Sequence, residues 1–188
     1  KSLAGNVDKI KISSGDIKLN LEEGINLSSN FRSNINLNDN DLNKYSKILD
    51  KFKFFDQIKL FQGNFSNNIS IVFDDTYKLK KYNYNISGNI EKSKFVFSDP
   101  IKKSFIIEEI KEIYLSDMTI DTNFSQKNFT LSGNGKYSFD NLEFLKINLE
   151  NKFSNNLLDL KINCDFKNSI DLSFMNYMKP KNNLSNLY

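Results

Sequence analysis

The segment DNDLNKYSKILD, residues 39–50, has the acidic and amide side chains whose spacing comes nearest to a known metal-binding loop. Asp39, Asp41 and Asn43 stand where the calcium-binding EF-hand loop carries its first three ligands. However, Lys44 replaces the glycine that this loop needs for its sharp turn, and helical spacing of apolar residues begins inside the segment. A capped helix explains the same residues, so we predict a helix here and no calcium site.

Groups for nucleophilic or acid–base catalysis are scarce in the rest of the sequence. The chain contains no His, which excludes triads based on His, and its single cysteine, Cys164, provides neither an internal disulfide nor a zinc cluster. The run SGNGKYS, residues 132–138, lacks the glycine spacing of a phosphate-binding loop. Adjacent carboxylates on a strand point to opposite faces, so the acidic pairs are not catalytic dyads: these pairs are Glu22–Glu23, Asp74–Asp75 and Glu108–Glu109. We therefore predict that the chain is not an enzyme and holds no cofactor and no metal.

The charge and hydropathy of the chain argue against two further classes of protein. Its 26 basic and 23 acidic residues give a net charge of +3, and the charges are dispersed. Arg32 is the only arginine, the residue that makes most bidentate contacts to phosphates and bases, so we predict no nucleic-acid partner. No run of about 18 apolar residues predicts a membrane-spanning helix. Because the sequence begins at Lys1 rather than Met, we expect a fragment whose anchor or export signal lies elsewhere in a larger protein.

Alternation of apolar and polar residues is the main structural signal, and it predicts β-strands. The alternating segments are 17–21, 35–37, 69–73, 82–90, 95–97, 129–139, 147–153, 158–166 and 170–174. The alternation changes phase between Phe144 and Leu145, which predicts a bulge or a turn. Segment 104–115 is predicted as a strand because β-branched residues dominate it, although its isoleucines also fit helical spacing. Short polar runs between strands predict tight loops and an antiparallel meander: they are 66–68, 74–75, 154–156 and 167–169.

One segment has helical spacing instead. Near residues 41–55 apolar side chains recur every three or four positions and predict one amphipathic helix with Asp39, Asn40 or Asp41 as its N-cap: these side chains are Leu42, Tyr45, Ile48, Leu49, Phe52 and Phe55. The helix either packs as ordinary core, or plugs one end of the curled sheet or covers part of it. The fragment 1–188 then divides into leading strands (1–38), the helix (39–55), a main sheet (56–178) and a tail (179–188).

Gly63, Gly88 and Gly133 occupy equivalent places in three similar segments, each after an apolar alternating run and directly before Asn. Hairpin turns or bulges are the simpler interpretation of these glycines. A second interpretation, compatible with the first, is a repeated unit in which the sheet bends at each glycine.

The predicted sheet has one continuous apolar face and only one helix to cover it, and such a face is unstable in water. The sheet can close as a β-sandwich or barrel, cross an outer membrane as a barrel, or curl into an elongated groove whose lining meets acyl chains. Most of the segments are shorter than the ~9–11 residues of a membrane-barrel strand, which disfavours the second arrangement. Composition does not separate the closed β-sandwich from the groove.

Three consecutive stretches resemble the AsmA-like family of bacterial envelope proteins, relatives of TamB: KLKKYNYNISGNIEKSKFVF, IYLSDMTIDTNFSQKNFTLSGNGKYSF and LEFLKINLENKF. The resemblance covers roughly residues 56–175 and rests on the alternating strands, on Gly-Asn after an apolar strand, and on the LSDMTID step. It implies a mainly β, taco-like groove in the periplasm, anchored to the inner membrane by a helix outside this sequence. Members of the family are thought to pass phospholipids toward the outer membrane, and the resemblance carries no catalytic residues.

Our leading hypothesis is therefore a segment of a lipid-transfer groove that maintains the cell envelope. Its partners would be phospholipid acyl chains, a membrane reached through the anchor, and an outer-membrane assembly protein. The predicted lining consists of Ile86, Phe95, Phe97, Phe129, Leu131, Tyr137, Ile147, Leu149, Leu160 and Ile162. The alternative hypothesis is a structural or adhesive β-sandwich without a ligand. A groove leaves these apolar side chains accessible, whereas a sandwich buries them.

Overall fold

The computed structural model describes residues 3–21, 24–46, 56–103, 105–154 and 157–188. Within these ranges the chain forms twelve strands and one α-helix. Their bounds are β1 (Gly5–Val7), β2 (Ile10–Asn20), β3 (Ile25–Asn38), α1 (Asp39–Ser46), β4 (Ile58–Phe73), β5 (Leu79–Lys103), β6 (Ile106–Ser125), β7 (Asn128–Ser138), β8 (Leu145–Ser154), β9 (Leu157–Phe166), β10 (Ile170–Leu172), β11 (Tyr177–Lys179) and β12 (Ser185–Leu187).

All the described strands belong to one antiparallel sheet. Each strand from β1 to β9 pairs with the next one in the sequence, and β12 lies on the far side of β9. The short hairpin of β10 and β11 stands off this path and joins β6 where Ile170 pairs with Ile106. The predicted antiparallel meander is thus confirmed, and the sheet does not close into a barrel. The closed β-sandwich lacks the second sheet that it requires in the described part of the chain.

The accessible surface of the molecule fits an open architecture. It amounts to 12907 Å², whereas a compact monomer of the same mass exposes about 9,300 Å². The excess follows from a sheet that is covered on neither face by another sheet.

The loops agree only partly with the prediction. Residues 66–68 are not a loop: β4 runs through them because it is paired on both sides, and Asn68 donates a side-chain hydrogen bond to Asn30 (2.5 Å). The predicted loops at 74–75 and 167–169 are present, and residues 139–144 form the turn expected near Phe144. Segment 104–115 contributes to strand β6, as predicted from Ile106 onward. Of the predicted loop 154–156, residues 155–156 lie outside the described ranges.

The helix α1 begins one residue earlier than the predicted caps allow. Asn38, the last residue of β3, is its N-cap: Asn38 Oδ1 accepts a hydrogen bond from the Asp41 N–H (3.1 Å), and Asp41 Oδ2 accepts one from the Asn38 N–H (3.1 Å). This reciprocal pair is a capping box, which satisfies two backbone donors at once. The prediction of Asp39, Asn40 or Asp41 as the cap was therefore wrong. The remainder of the predicted helix, 47–55, lies outside the described residues.

The face of the sheet opposite the apolar one is held together by amide side chains. Asn34 donates to Asn64 (2.8 Å), and Asn64 donates to Glu91 (2.6 Å), which links β3, β4 and β5. Similar cross-strand bonds join Gln62 to Asn36, Asn123 to Asn83 and Asn85, Asn134 to Asn148, and Asn186 to Asn163. We call this the outer face. Its hydrogen bonds act across strands and add to the backbone ladder.

A line of irregular pairing crosses the sheet and bends it. The register shifts between Gln62 and Gly63 on β4, and again between Ser116 and Thr119 on β6, so that each break adds a β-bulge. Asp117, within the second bulge, has a left-handed backbone with φ of 50°. Bulges increase local twist and curvature, so the sheet curls about this line.

The glycines of the repeat are strand residues rather than hairpin turns, so that part of the simpler interpretation was wrong. Gly63 lies at the first bulge, as the same interpretation allowed, while Gly88 and Gly133 pair regularly within β5 and β7. A Cβ on Gly88 would lie 2.8 Å from the Cα of Phe65 and closer still to the carbonyl oxygen of Asn64. Glycine is required at Gly88 because the neighbouring strand approaches too closely for a side chain.

Two glycines of the same strand give a matched test of this bend. A Cβ on Gly135 would lie 2.7 Å from Met118 Cβ and 2.9 Å from the Asp117 carbonyl oxygen, whereas at Gly133 the nearest atom is a Leu149 methyl group at 3.5 Å. We expect Gly135→Ala to lower the free energy of unfolding by about 1–3 kcal/mol through overpacking. Gly133→Ala should change it by less than about 1 kcal/mol. Urea unfolding followed by circular dichroism measures both, and equal losses would contradict the close packing at the bulge.

Candidate functional site

The register of the strands defines one apolar surface, which we call the inner face. Residues that pair directly across neighbouring strands point to the same side of the sheet. One such row joins Phe31 on β3 to Leu160 on β9: it consists of Phe31, Asn67, Ile86, Thr122, Leu131, Asn151 and Leu160. The next row is Ser33, Phe65, Gly88, Ile120, Gly133, Leu149 and Ile162. The inner face thus extends across the sheet without changing side.

The structure brings the predicted lining residues onto this face. Five of them occur in the two rows above, and Ile147 pairs with Gly135 and with Cys164 in a third row. Phe95 pairs with Ile58 and Ile113 and packs on the adjoining core, and Phe97 follows it by two positions in β5. Phe129 pairs with Phe124 and Phe153, and Tyr137 pairs with Leu115. The alternation in the sequence was sufficient to choose the side on which each residue lies.

One end of the inner face is closed by the helix. Leu42 of α1 is buried against Leu37 and Ile58, and Phe61 and Phe95 pack around these three residues. The Asp41 carboxylate holds the start of the helix through the capping box. It also forms an ion pair with Lys9 Nζ, at 2.9 Å. The helix therefore packs as core at this end, which we call the closed end.

A second core lies inside the bend of the sheet. Met118, with 1% of its surface exposed, contacts Phe65 and Ile90, and these three are surrounded by half-buried side chains from neighbouring strands. The Phe61 and Phe65 rings are stacked with their centroids 5.7 Å apart. The space over Gly63 and Gly88 is filled by the Phe65 ring, whose atoms would meet any added Cβ. The glycines thus let an aromatic ring lie flat on the sheet.

The opposite end of the inner face, which we call the open end, is aromatic and exposed. Phe124 is 45% exposed and lies between Tyr82 and Phe129, with ring centroids 5.9 and 5.8 Å away. Four further side chains are exposed at this end: Ile17 and Leu19 on β2, Phe153 on β8 and Leu158 on β9. A cleft of about 430 Å³ lies beside this end, lined in part by Tyr82, Lys80, Lys81 and Lys127. Burial on the inner face therefore falls from the closed end to the open end.

The predicted lining residues are most exposed on β9, toward the edge of the sheet. Leu160 and Ile162 are 51% and 43% exposed, and all the others except Tyr137 are half-buried. Tyr137 is buried, because its side chain passes over β8 and its hydroxyl donates to the carbonyl oxygen of Asp165 on β9 (2.6 Å). Burial raises the pKa of the Tyr137 hydroxyl and that of the neighbouring Cys164 thiol, so that both stay protonated at neutral pH. Tyr137 is better described as a latch between strands than as lining.

Polar groups interrupt the inner face, and the alternating pattern did not predict them. Asn67 is buried there: it accepts a hydrogen bond from the Tyr84 hydroxyl (2.8 Å) and donates one to Ser33 Oγ (3.0 Å). Burial raises the pKa of the Tyr84 hydroxyl. Thr122 and Asn151 occupy the same row as Asn67, and Asn151 Oδ1 is buried without a hydrogen-bond partner among the described residues. Alternation alone does not distinguish a buried Asn from a surface one.

The described residues contain no cluster of three or more His, Cys, Asp or Glu side chains placed to hold a metal ion. Two acidic groups of segment 39–50 have other partners: Asp39 pairs with Lys59 (3.1 Å), and Asp41 takes part in the capping box of α1. Across the described ranges no helix has the length and hydropathy needed to span a membrane.

The latch at Tyr137 is testable by removing a single oxygen. We expect Tyr137→Phe to lower the free energy of unfolding by about 1 kcal/mol, since the half-buried Asp165 carbonyl loses its donor. Tyr188→Phe, at a residue that is 88% exposed, is the matched control and should be neutral. Thermal and urea unfolding provide the measurement. If both variants matched the unmodified chain, the hydroxyl would contribute nothing to holding β7 on β9.

The closure by α1 should depend on pH. The hydrogen bond from Lys9 and the one from the Asn38 N–H hold the pKa of Asp41 below its usual value. A carboxyl with a lowered folded-state pKa stabilises the fold above its unfolded pKa, and this contribution disappears as the pH falls through the folded value. When the pH is lowered from about 6 to about 3, the free energy of unfolding should therefore fall less in Asp41→Asn than in the unmodified chain.

Asp117→Asn is the control for this titration, because the pKa of Asp117 is also lowered, by Lys136, but Asp117 lies at the bend far from α1 in sequence. Backbone amide NMR of Leu42 reports on α1 directly. Its acid-induced shift should vanish in Asp41→Asn and persist in Asp117→Asn. An unchanged shift in Asp41→Asn would show that another group controls the helix start.

The chain was compared with protein-family models, with curated proteins and with solved structures, and none of them matches it.

Proposed function

We propose that this chain is a segment of a lipid-transfer groove that holds phospholipid acyl chains on its inner face. The observation that carries this proposal is the partial exposure of that face, which is apolar in most rows and is not covered by a second sheet in the described part of the chain. A closed core made of the same residues would be buried. Concave apolar surfaces with a few polar groups are the usual form of sites for apolar ligands.

The mechanism is passive and needs no specific headgroup site. Each methylene kept from water contributes ~0.8 kcal/mol, so acyl chains lying along the half-buried rows from Ile86 to Leu160 are held by contact area alone. Such binding is non-directional, which lets a chain slide between rows of equivalent side chains. The outer face, with its amide ladder, stays in water throughout.

The closed and open ends give the groove a polarity. Acyl chains enter or leave at the open end, where Phe124 and Leu158 are exposed, while α1 covers the other end. Lys80, Lys81 and Lys127 line a cleft beside the open end, and their positive charge would attract the phosphate of a lipid headgroup. The headgroup therefore remains in water while the acyl chains lie on the inner face.

The cellular setting of this proposal comes from the resemblance to the AsmA-like, TamB-related envelope proteins. In that setting the segment would be part of a periplasmic groove between the inner and outer membranes, attached through an anchor outside this sequence. Phospholipids would pass along it, and an outer-membrane assembly protein would receive them. The chain would act by binding alone and would not be an enzyme.

Two neighbouring residues on opposite faces provide the test of lipid binding. Leu131→Asp places a carboxylate on the inner face, whereas Thr130→Asp places the same group on the outer face of the same strand. Each protein is incubated with vesicles of phosphatidylethanolamine and phosphatidylglycerol, separated from them, and examined by native mass spectrometry and lipid extraction. We expect the unmodified chain and Thr130→Asp to carry phospholipid, and Leu131→Asp and Phe97→Asp to lose most of it.

Circular dichroism confirms that each variant is folded before its lipid content is compared. Lipid uptake that is equal in Leu131→Asp and Thr130→Asp would mean that the inner face is not the binding surface. An unmodified chain that takes up no phospholipid would overturn the proposal and favour the structural or adhesive module instead.

A further inference from the structure

The open end is bordered by the turns that join β4 to β5 and β6 to β7, residues 74–78 and 126–127. The elements outside the regular meander attach toward the closed end instead, where β1, β10 and β12 each pair with part of a longer strand. Gln126 Nε2 donates to the carbonyl oxygen of Lys80 (3.1 Å), so the hairpin of β4 and β5 projects past the neighbouring turn. In the described part of the chain nothing covers this projecting hairpin.

The turn at 74–78 holds a large aromatic side chain in solvent. Asp74 Oδ1 accepts hydrogen bonds from the Thr76 N–H (2.8 Å), the Thr76 hydroxyl (2.7 Å) and the Lys78 N–H (3.0 Å). Tyr77, at the tip, has a left-handed backbone with φ of 61° and is 77% exposed. This conformation is uncommon for a bulky residue, and such strained residues are concentrated at functional sites.

Aliphatic side chains accompany this tyrosine at the ends of the strands. Leu79, which follows the turn, is 49% exposed, while Leu21 at the end of β2 and Leu157 at the start of β9 are 64% and 74% exposed. With Phe124 they continue the apolar inner face to the tips of the hairpins. Exposed aromatic and aliphatic side chains of this kind are typical of surfaces that enter the interface of a bilayer.

A group of lysines without ion pairs lies beside the same hairpin. Lys80, Lys81 and Lys127 line the cleft of about 430 Å³. The register shift between Val72 and Phe73 makes Lys80 an extra residue of β5, so that two lysines occupy the space of one. None of the three lysines pairs with a carboxylate in the described part of the chain.

Lysines nearer the closed end are paired with carboxylates instead: Lys9 with Asp41, Lys59 with Asp39, Lys94 with Glu112, and Lys167 with Glu143. At the open end, the two carboxylates in turn 74–78 offset part of the positive charge, and one of them is engaged in the turn itself. Glu22 and Glu23, in the turn between β2 and β3, lie outside the described residues. The cleft therefore keeps cationic groups available for an anionic surface.

We propose that the open end docks on the surface of an anionic phospholipid bilayer, with Tyr77 and Leu79 in the interface and the cleft lysines against headgroup phosphates. The inference rests on the proposed function, for which this bilayer would supply or receive the lipid, but it concerns a separate contact. Apolar insertion and attraction to anionic lipids both contribute to such docking. Acyl chains would then pass between the bilayer and the inner face beside Tyr82 and Phe124 without crossing water.

Two charge-matched variants test the docking. The open-end variant changes the cleft lysines to glutamine: Lys80→Gln, Lys81→Gln and Lys127→Gln. The control variant makes the same change at three exposed lysines of the outer face nearer the closed end: Lys11→Gln, Lys92→Gln and Lys146→Gln. Each lysine near an anionic membrane contributes about fivefold in affinity, so the open-end variant should bind at least roughly tenfold more weakly and the control within about twofold of the unmodified chain.

Flotation with vesicles of phosphatidylcholine, and of an equal mixture of phosphatidylcholine and phosphatidylglycerol, measures the affinity of each protein after circular dichroism has shown it to be folded. We expect the unmodified chain to bind the mixed vesicles, to bind phosphatidylcholine vesicles far more weakly, and to be released by salt. Equal losses in the two lysine variants, or equal binding to both kinds of vesicle, would overturn the proposal.

The tyrosine is tested by Tyr77→Asn. Asparagine adopts the left-handed conformation readily, so the variant removes the ring and keeps the turn. Its affinity for the mixed vesicles should fall several-fold, and this loss should persist when salt screens the lysines. A Tyr77→Asn protein that binds like the unmodified chain would overturn the insertion of this turn and the proposal with it.

A second measurement separates docking from the groove. Native mass spectrometry records uptake of dihexanoyl phosphatidylglycerol, a short-chain phospholipid that is supplied as monomers, so no bilayer takes part. A chain that takes up this lipid but does not bind the mixed vesicles overturns the docking and leaves the groove standing. A chain that binds the vesicles with the expected loss in the open-end variant, yet takes up no lipid, supports the docking and contradicts the groove.

Discussion

In-register pairing across one long antiparallel meander puts most of the apolar side chains on one side of a single sheet, and the described chain has no second sheet to cover them. The rest of the structure answers this constraint. The sheet bends along its bulges so that Phe65, Ile90 and Met118 pack together, and α1 brings Leu42 onto the closed end. The remaining apolar area stays partly in water, which accounts for an accessible surface well above that of a compact chain.

The outer face is under a different constraint, because it is exposed to water. A single-layer sheet exposes its second face fully, and charged side chains there would repel one another when like charges meet across strands. At many positions of this face the chain uses asparagine: pairs such as Asn34 with Asn64 and Asn68 with Asn30 bond across strands without net charge. The abundance of asparagine thus has a structural use, since the amide ladder stabilises a sheet that gains little from burial on this side.

Alternation predicted most of the fold because period two fixes both the strands and the face on which each side chain lies. It placed Ile86, Leu131 and Leu160 on one surface, and register confirmed that they share a row. Local patterns failed where tertiary contacts decide. The polar run at 66–68 is typical of a turn, yet pairing on both sides of β4 keeps it extended.

The features that the sequence did not predict also depend on residues that come together only in the folded structure. Glycine signals a turn or a close approach equally well, and only the neighbouring Phe65 and Met118 show that Gly88 and Gly135 mark close approach. Helical spacing did not identify Asn38 as the helix cap, and only the structure shows that its side chain completes the capping box with Asp41. Tyr137 alternates like the lining residues, but its hydroxyl reaches Asp165 across an intervening strand.

The two cores stabilise the fold, whereas the open end stays accessible. Residues that hold the bend and the closed end are buried and would resist rearrangement, so the chain can stay folded while the open end remains exposed. The buried polar group at Asn67, with its bonds to Tyr84 and Ser33, lies between these regions and limits how far the apolar packing extends. A ligand that covers the open end adds its binding free energy to that of a fold already formed. Such a ligand would therefore raise stability chiefly where Phe124 and Leu158 lie.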